Sequence, residues 1–295
     1  IMPAGHELTD TCVNCHTADN KAAPFNKIHT GYNKAIYTAD GKKISDIVKV
    51  SIDKASFADN KLTFSFSAAA SEDIGLDIKT ISPTVMVGLY GWDTKDYLVG
   101  PHERLKDDNG DGTIDSKDGR ALEFVVGGKD ANPRYTTVSA ADGKWEVTAD
   151  LTDWADMIKD GRVKRVEIAV MPALTNADKV MVALNAPSRT FDLATNRFND
   201  KFYSPIVKVT DGCNTCHDAL ATTFHSPDRG GNVVVCRMCH ITKAGGSHLE
   251  LQSRSIDSYI HAIHSAQQFD IGDIDFTDPA QAEKYAIEIE MPFPK

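Results

Sequence analysis

The sequence predicts a central antiparallel β-sandwich or barrel of Greek-key type, flanked on both sides by segments of loops and short helices. Three observations point there. From about Ile44 to Asn196, apolar residues alternate with polar ones in seven short runs separated by turn residues. That block contains no cysteine, and its only histidine is His102. All six cysteines lie outside it, in three copies of C-x-x-C-H. The chemistry-bearing residues are thus segregated from the alternating block, and the chain divides into 1–43, 44–209 and 210–295.

Residues 1–43 have little periodicity. Cys12-Val13-Asn14-Cys15-His16 predicts a helical turn over Cys12–Thr17, and His29 stands alone in Phe25–Tyr32. The central block opens with Val48–Ile52 and Leu62–Phe66, followed by Val85–Tyr90, Leu122–Val126, Trp145–Leu151, Val163–Met171 and Val180–Leu184. Period-2 alternation places one side of each run in a core and the other toward water. Leu151–Ile158 predicts a short helix capped by Thr152 or Asp153. Ser82-Pro83-Thr84 reads as a strand-entry turn, although an oxide-binding role can be imagined for it. After Thr210 come Cys213-Asn214-Thr215-Cys216-His217 and Cys236-Arg237-Met238-Cys239-His240. Ser255–His264 then predicts a helix with a serine cap, and beyond Gln268 the chain turns acidic.

C-x-x-C-H is the attachment pattern of c-type haem. Two thiols at i and i+3 share a helical face, with the histidine beside them. They form thioethers to the porphyrin while the imidazole ligates the iron. Cys12, Cys15 and His16, then Cys213, Cys216 and His217, then Cys236, Cys239 and His240 make three such sets. The competing reading is zinc, because Cys213–Cys239 also spells C-x2-C-x19-C-x2-C, within the range of four-cysteine sites. The pair at Cys12 has no second pair nearby, and a histidine follows all three pairs. With 10 histidines in 295 residues, that coincidence has a random chance of roughly one in 26,000. Three covalently bound haem c groups are therefore expected. The flanks read as haem-dominated c-type cytochrome segments, with porphyrin supplying core that the polypeptide lacks.

Three irons have six axial positions, and His16, His217 and His240 fill three. Histidine is preferred to methionine for the others, because histidines cluster near the motifs. His261 and His264 share one helix face and can serve two neighbouring haems. His225 lies between the two C-terminal motifs, and His29 follows the first, with His6 as its rival. His248 reads as a loop residue and His102 as a surface residue of the β block. Bis-histidine ligation gives a lower potential than His/Met.

One motif in the β block stands apart. Asp107–Asp118 fits the 12-residue calcium loop D-x-[DN]-x-[DN]-G-x5-[DE], with Asp107, Asn109, Asp111, Thr113, Asp115 and Asp118 as candidate ligands and Gly112 at the sharp turn. Aspartate rather than glutamate closes it, as in dockerin-type loops. The alternative is an acidic hairpin turn in an aspartate-rich chain.

The formal net charge of −10 argues against nucleic-acid and anionic-membrane partners. No apolar run reaches 18 residues. The opening on Ile1, with no leader legible before it, is what a processed product or a fragment is expected to show. Haem attachment occurs outside the bacterial cytoplasmic membrane, so an exported protein is expected.

The first motif with Lys27-Ile28-His29-Thr30-Gly31-Tyr32, the β block, and the paired motifs with Tyr259-Ile260-His261-Ala262-Ile263-His264 together resemble the OmcA/MtrC family of multihaem cytochromes. The resemblance covers about Cys12 to His264. It implies alternating β and multihaem domains, bis-histidine haems, and the Ile-His-x-Ile-His element as distal ligands. It also implies electron relay at the bacterial outer surface to metal oxides, flavins, electrodes or partner cytochromes, without enzyme activity in the strict sense. Implied partners are other multihaem cytochromes or an outer-membrane porin-cytochrome conduit, with peripheral or lipid-anchored attachment of the parent protein. The β block would act as a spacer, docking surface or flavin platform. Family members carry around ten haems, so three motifs read as the centre of such a protein: one haem domain ending, a β-domain, and the next haem domain beginning. The competing function is a multihaem reductase with one open iron acting on a small oxyanion. A zinc or calcium interaction module without haem is the third class.

Overall fold

The computed structural model describes residues 33–115, 117–129, 132–205, 208–209, 212–215, 217, 219–220, 226–242, 255–256, 258 and 260. These fall into two compact units, one within Thr9–Met238 and one within Cys239–Lys295. The first holds two open antiparallel sheets. A short helix α1 (Ile44–Ile47) leads into β1 (Val48–Ala58), β2 (Lys61–Ala70), β3 (Ser82–Tyr90), β4 (Tyr97–Val99) and β5 (Glu123–Val125). Then come β6 (Tyr135–Ala141), β7 (Lys144–Asp150), helix α2 (Ala155–Lys159), β8 (Arg165–Ala173), β9 (Ser188–Asp192), β10 (Arg197–Phe198) and helix α3 (Val233–Cys239). One sheet has the order β1-β2-β7-β6. The other has the order β10-β9-β8-β3-β4, with β5 also paired to β3.

Of the expected sandwich or barrel, the structure is the open form, since neither sheet closes on itself. Two-residue hairpins set the register. Asp59-Asn60 joins β1 to β2 and Asp142-Gly143 joins β6 to β7, all four residues having positive φ. That is the requirement of a type I′ turn, whose twist matches that of the strands. Leu62, Phe64 and Phe66 of β2 and Trp145 and Val147 of β7 face Val85, Val87 and Leu89 of β3 and Val166, Ile168 and Val170 of β8 in one core. Phe66 and Trp145 stack there with ring centroids 5.2 Å apart.

Six of the seven expected strands form, and Ser82-Pro83-Thr84 is the entry to β3. Val180–Leu184 forms only an isolated bridge, Thr175 to Met181. Its Val182 and Ala183 amides donate to Leu174 and to Ala35 instead, so this run is buried without joining a sheet. The expected helix is a 3-10 turn, Thr152–Trp154, followed by α2, and neither Thr152 nor Asp153 caps it. The Asp150 carboxylate takes the Thr152 amide (2.9 Å), while Asp153 pairs with Arg134 and Lys106.

The strands of the two sheets differ in burial. β2 alternates. In β8, every residue from Val166 to Pro172 is buried, although Glu167, Ala169 and Met171 point away from the sandwich core. Something covers the outer face of the six-stranded sheet.

Candidate haem-attachment site and acidic loop

That cover includes α3, the helix carrying the third C-x-x-C-H. Three successive valines, Val233 to Val235, are mediocre helix formers, so burial and capping hold this helix. The 3-10 turn Pro227–Arg229 ends at Gly230, where φ is +69°. A Cβ at Gly230 would lie 2.5 Å from Cβ of Ala186, so only glycine fits this approach. The Gly231 amide donates to the Leu184 carbonyl (3.2 Å). Asn232 then does two things at once. Its Oδ1 accepts the Val234 amide (2.9 Å), as an N-cap does, while Nδ2 donates to the Ala186 carbonyl (2.7 Å) and to Ser188 Oγ (3.1 Å). Val234, Val235 and Met238 are buried. Arg237 donates to Asp96 (3.3 Å) and lies over the rings of Tyr203 (4.3 Å) and Tyr97 (5.2 Å). Its Nη1 is buried without a hydrogen-bond partner among the described residues.

Cys236 and Cys239 occupy the last turn of this helix, three positions apart, with His240 next. Neither cysteine is in a disulfide, and both are partly buried. Burial, reinforced by the nearby Cys213, pushes the Cys236 thiol up to about 11. The first cysteines of motifs two and three are therefore neighbours. Cys213 opens a 3-10 turn, Cys213–Thr215, with its amide donating to the Lys208 carbonyl (3.3 Å). The His217 amide donates to the Cys213 carbonyl (2.9 Å), one helical turn back. Asn214 fixes this turn by accepting the Leu220 amide (2.8 Å). Two thiols at helical i, i+3 spacing followed by an imidazole are the donor set that haem c uses, so Cys236, Cys239 and His240 fit that group. Cys12, Cys15, His16, His29, Cys216, His225, His261 and His264 lie outside the described residues, as do His6 and His248. Ile256, Ser258 and Ile260 are helical, and the Ile256 amide donates to the His240 carbonyl (3.1 Å).

His102, expected at the surface of the β block, keeps 36% of its side chain exposed and holds Nδ1 2.6 Å from Glu123 Oε2. Burial raises the Glu123 carboxyl, but the hydrogen bond and charge of His102, with Arg120 and Arg229, outweigh it and hold the group below the usual range.

The acidic loop is held by bonds between its own side chains and amides. Asp107 accepts the amides of Gly110 (2.6 Å), Asp111 (3.1 Å) and Gly112 (2.7 Å). Asn109 accepts that of Asp111, and Asp111 accepts both the amide and the hydroxyl of Thr113. Asp118 closes the loop by accepting the amides of Asp108, Asn109 and Asp115, and is itself buried. Gly110 and Gly112 have φ of +75° and +87°. Lys117 pairs with Asp111 (3.2 Å) and Asp115 (3.4 Å), so a cation of the chain already balances part of the charge. Hydrogen bonds from Thr113 hold the Asp111 carboxyl low, as do amide bonds for Asp118.

A further group escaped the sequence reading. Glu167 on β8, 2% exposed, accepts the hydroxyls of Thr190 (2.6 Å) and Tyr90 (3.0 Å), and Tyr97 donates to Tyr90 (3.1 Å). A lone carboxylate inside the apolar run Val163–Met171 was the available signal.

No family model matches the sequence, and no curated protein is similar to it. The structure is similar to the crystal structure of MtrC from Shewanella baltica OS185, at 17% identity and a TM-score of 0.44 over 74% of this chain. It is also similar to that of the outer membrane decaheme cytochrome OmcA, at 15% identity and a TM-score of 0.45 over 75%. The chain spans about a third of the length of each, 32% and 33%.

Proposed function

We propose that this chain is part of a multihaem c-type cytochrome that relays electrons through bis-histidine haems at the outer cell surface, toward metal oxides, flavins, electrodes or partner cytochromes. The observation that carries the reading is the use of every cysteine in a C-x-x-C-H motif. Cys12 and Cys15, Cys213 and Cys216, and Cys236 and Cys239 would hold three haems, with His16, His217 and His240 as proximal ligands and His29, His225, His261 and His264 as distal candidates. Haem supplies a one-electron couple whose potential is set by ligation, burial and hydrogen bonding. The protein would orient the third motif by anchoring α3 to the start of β9 through Asn232 and against β3 through Met238, and the nearness of Cys213 to Cys236 supports direct transfer between the second and third haems.

In this reading 1–43 is a monohaem segment, 44–209 the β-domain and 210–295 a dihaem region. Asp107, Asn109, Asp111, Thr113, Asp115 and Asp118 form a calcium loop that steadies the β3 side of the sandwich. Other multihaem cytochromes or a porin-cytochrome conduit are the partners, with peripheral or lipid-anchored attachment of the parent protein.

Intact mass and haem staining of chain matured in a haem-attaching host should report three haems, with low-spin ferric spectra. High-spin signals that change on adding nitrite or a sulfur oxyanion would replace relay with reductase chemistry. A colourless, zinc-bearing preparation would end the haem reading.

A further inference from the structure

Glu167 sits on the outer face of the six-stranded sheet, under the helix that carries Cys236. Across β3 and β8 it pairs with Gly88, where an added Cβ would meet the Tyr97 ring at 2.7 Å and Met238 Cε at 3.3 Å. Met238, between the two thioether cysteines of motif three, therefore covers the Gly88–Glu167 pair. Every element around the carboxyl contributes a group. Tyr90 of β3 and Thr190 and Ser188 of β9 offer hydroxyls, and Tyr97 of β4 extends the chain of hydroxyls from Tyr90. After β10, the negative Asp200, held by Arg189 (2.7 Å), opposes ionisation. From α3, the charge of Arg237 acts on the two tyrosines. The hydrogen-bonding partners of Glu167 are thus neutral hydroxyls rather than cations.

A carboxylate taken out of water without a cation is costly and takes up a proton readily. Burial raises Glu167 to about 7 despite the three hydroxyls. In a protein interior, a unit charge within about 10 Å changes the affinity of another site by roughly tenfold.

We propose that Glu167 is a proton-binding site whose occupancy follows the redox state of the haem at the third motif. A haem held by Cys236, Cys239 and His240 would supply the one-electron couple, taking its electron from a donor cytochrome or an electrode. One proton from solvent forms an O–H bond on the Glu167 carboxylate, and no other bond is made or broken. The inference rests on the haem reading of that motif.

The test uses the haem-loaded chain, whose haem number is measured first. A chain without haem ends the functional reading, whereas the results below bear on Glu167 alone. Potentiometric titrations across about pH 5.5 to 8.5 should show one midpoint potential falling by about 59 mV between its acid and alkaline limits, the equivalent of a tenfold difference in proton affinity. Glu167→Gln should abolish that fall, and its persistence in the variant would overturn the proposal. Should the variant fail to fold, reduced-minus-oxidised infrared spectra of the unaltered chain near pH 7 decide. A carboxylic C=O band gained on reduction supports the site, and its absence overturns it.

Discussion

The two sheets of the sandwich share a core and differ in what lies behind them. In β2 and β7, apolar Leu62, Phe64, Phe66, Trp145 and Val147 alternate with more exposed Thr63, Ser65, Glu146 and Thr148, as in a sheet with one wet face. β8 is buried on both faces from Val166 to Pro172. The four-stranded sheet belongs to a two-layer structure. The six-stranded sheet is the middle of three layers, the third being α3 with the aromatic residues beside it. Helix α3 is thus part of the wall of the β-domain itself.

That contrast can be broken from either side. Phe66→Ala empties the shared core and should cost about 3–5 kcal/mol in urea unfolding, as full burial of a stacked phenylalanine predicts. Met238→Ala acts only on the third layer. If α3 is integral, it should cost about 2–5 kcal/mol, comparable to a core residue, and an effect below 1 kcal/mol would reduce α3 to a loose attachment.

Glu167→Gln separates the faces by pH. Folded Glu167 titrates near 7, against 4.5 for an exposed glutamate, so its contribution is complete below pH 4.5 and is lost as pH rises through 7. The unaltered chain should lose about 3 kcal/mol more than the variant between pH 4.5 and 8, measured by unfolding at each pH. Val138→Lys, on the edge strand β6 where Val138 is 55% exposed, should change stability by less than about 0.5 kcal/mol, and should reduce any self-association seen by light scattering.

The same contrast explains what the sequence discloses. Alternation in Leu62–Phe66 and Trp145–Leu151 is imposed by one wet face, so those strands can be read directly. β6 has no such mark: Thr136 to Ala141 are exposed on both sides at the sheet edge, and the run carries no periodic apolar residue. β4, β9 and β10 are too short to establish a period. Val180–Leu184 misleads in the opposite way, since burial without a ladder has the same composition as a strand. Period-2 alternation also fixes which side faces inward without fixing whether the sheet edges meet, which left sandwich and barrel equal. At the site, the spacing of Cys236, Cys239 and His240 is local and legible. The partners of Asn232 lie 46 and 44 positions upstream, and those of Glu167 lie on two other strands, β3 and β9, so neither contact is written in any one stretch.

Asn232 has a mechanical consequence. One planar amide, a single side chain long, joins the first turn of α3 to the strand edge at Ala186 and Ser188, while Gly230 closes the gap behind it to backbone contact. Such a joint is a weld rather than a hinge. A change in the twist of the six-stranded sheet, whether from docking of a partner or from strain along β9, would turn α3 as a rigid lever instead of being absorbed in a loop. The thiols at its far end would swing with it, making their orientation a gauge of the sheet's shape.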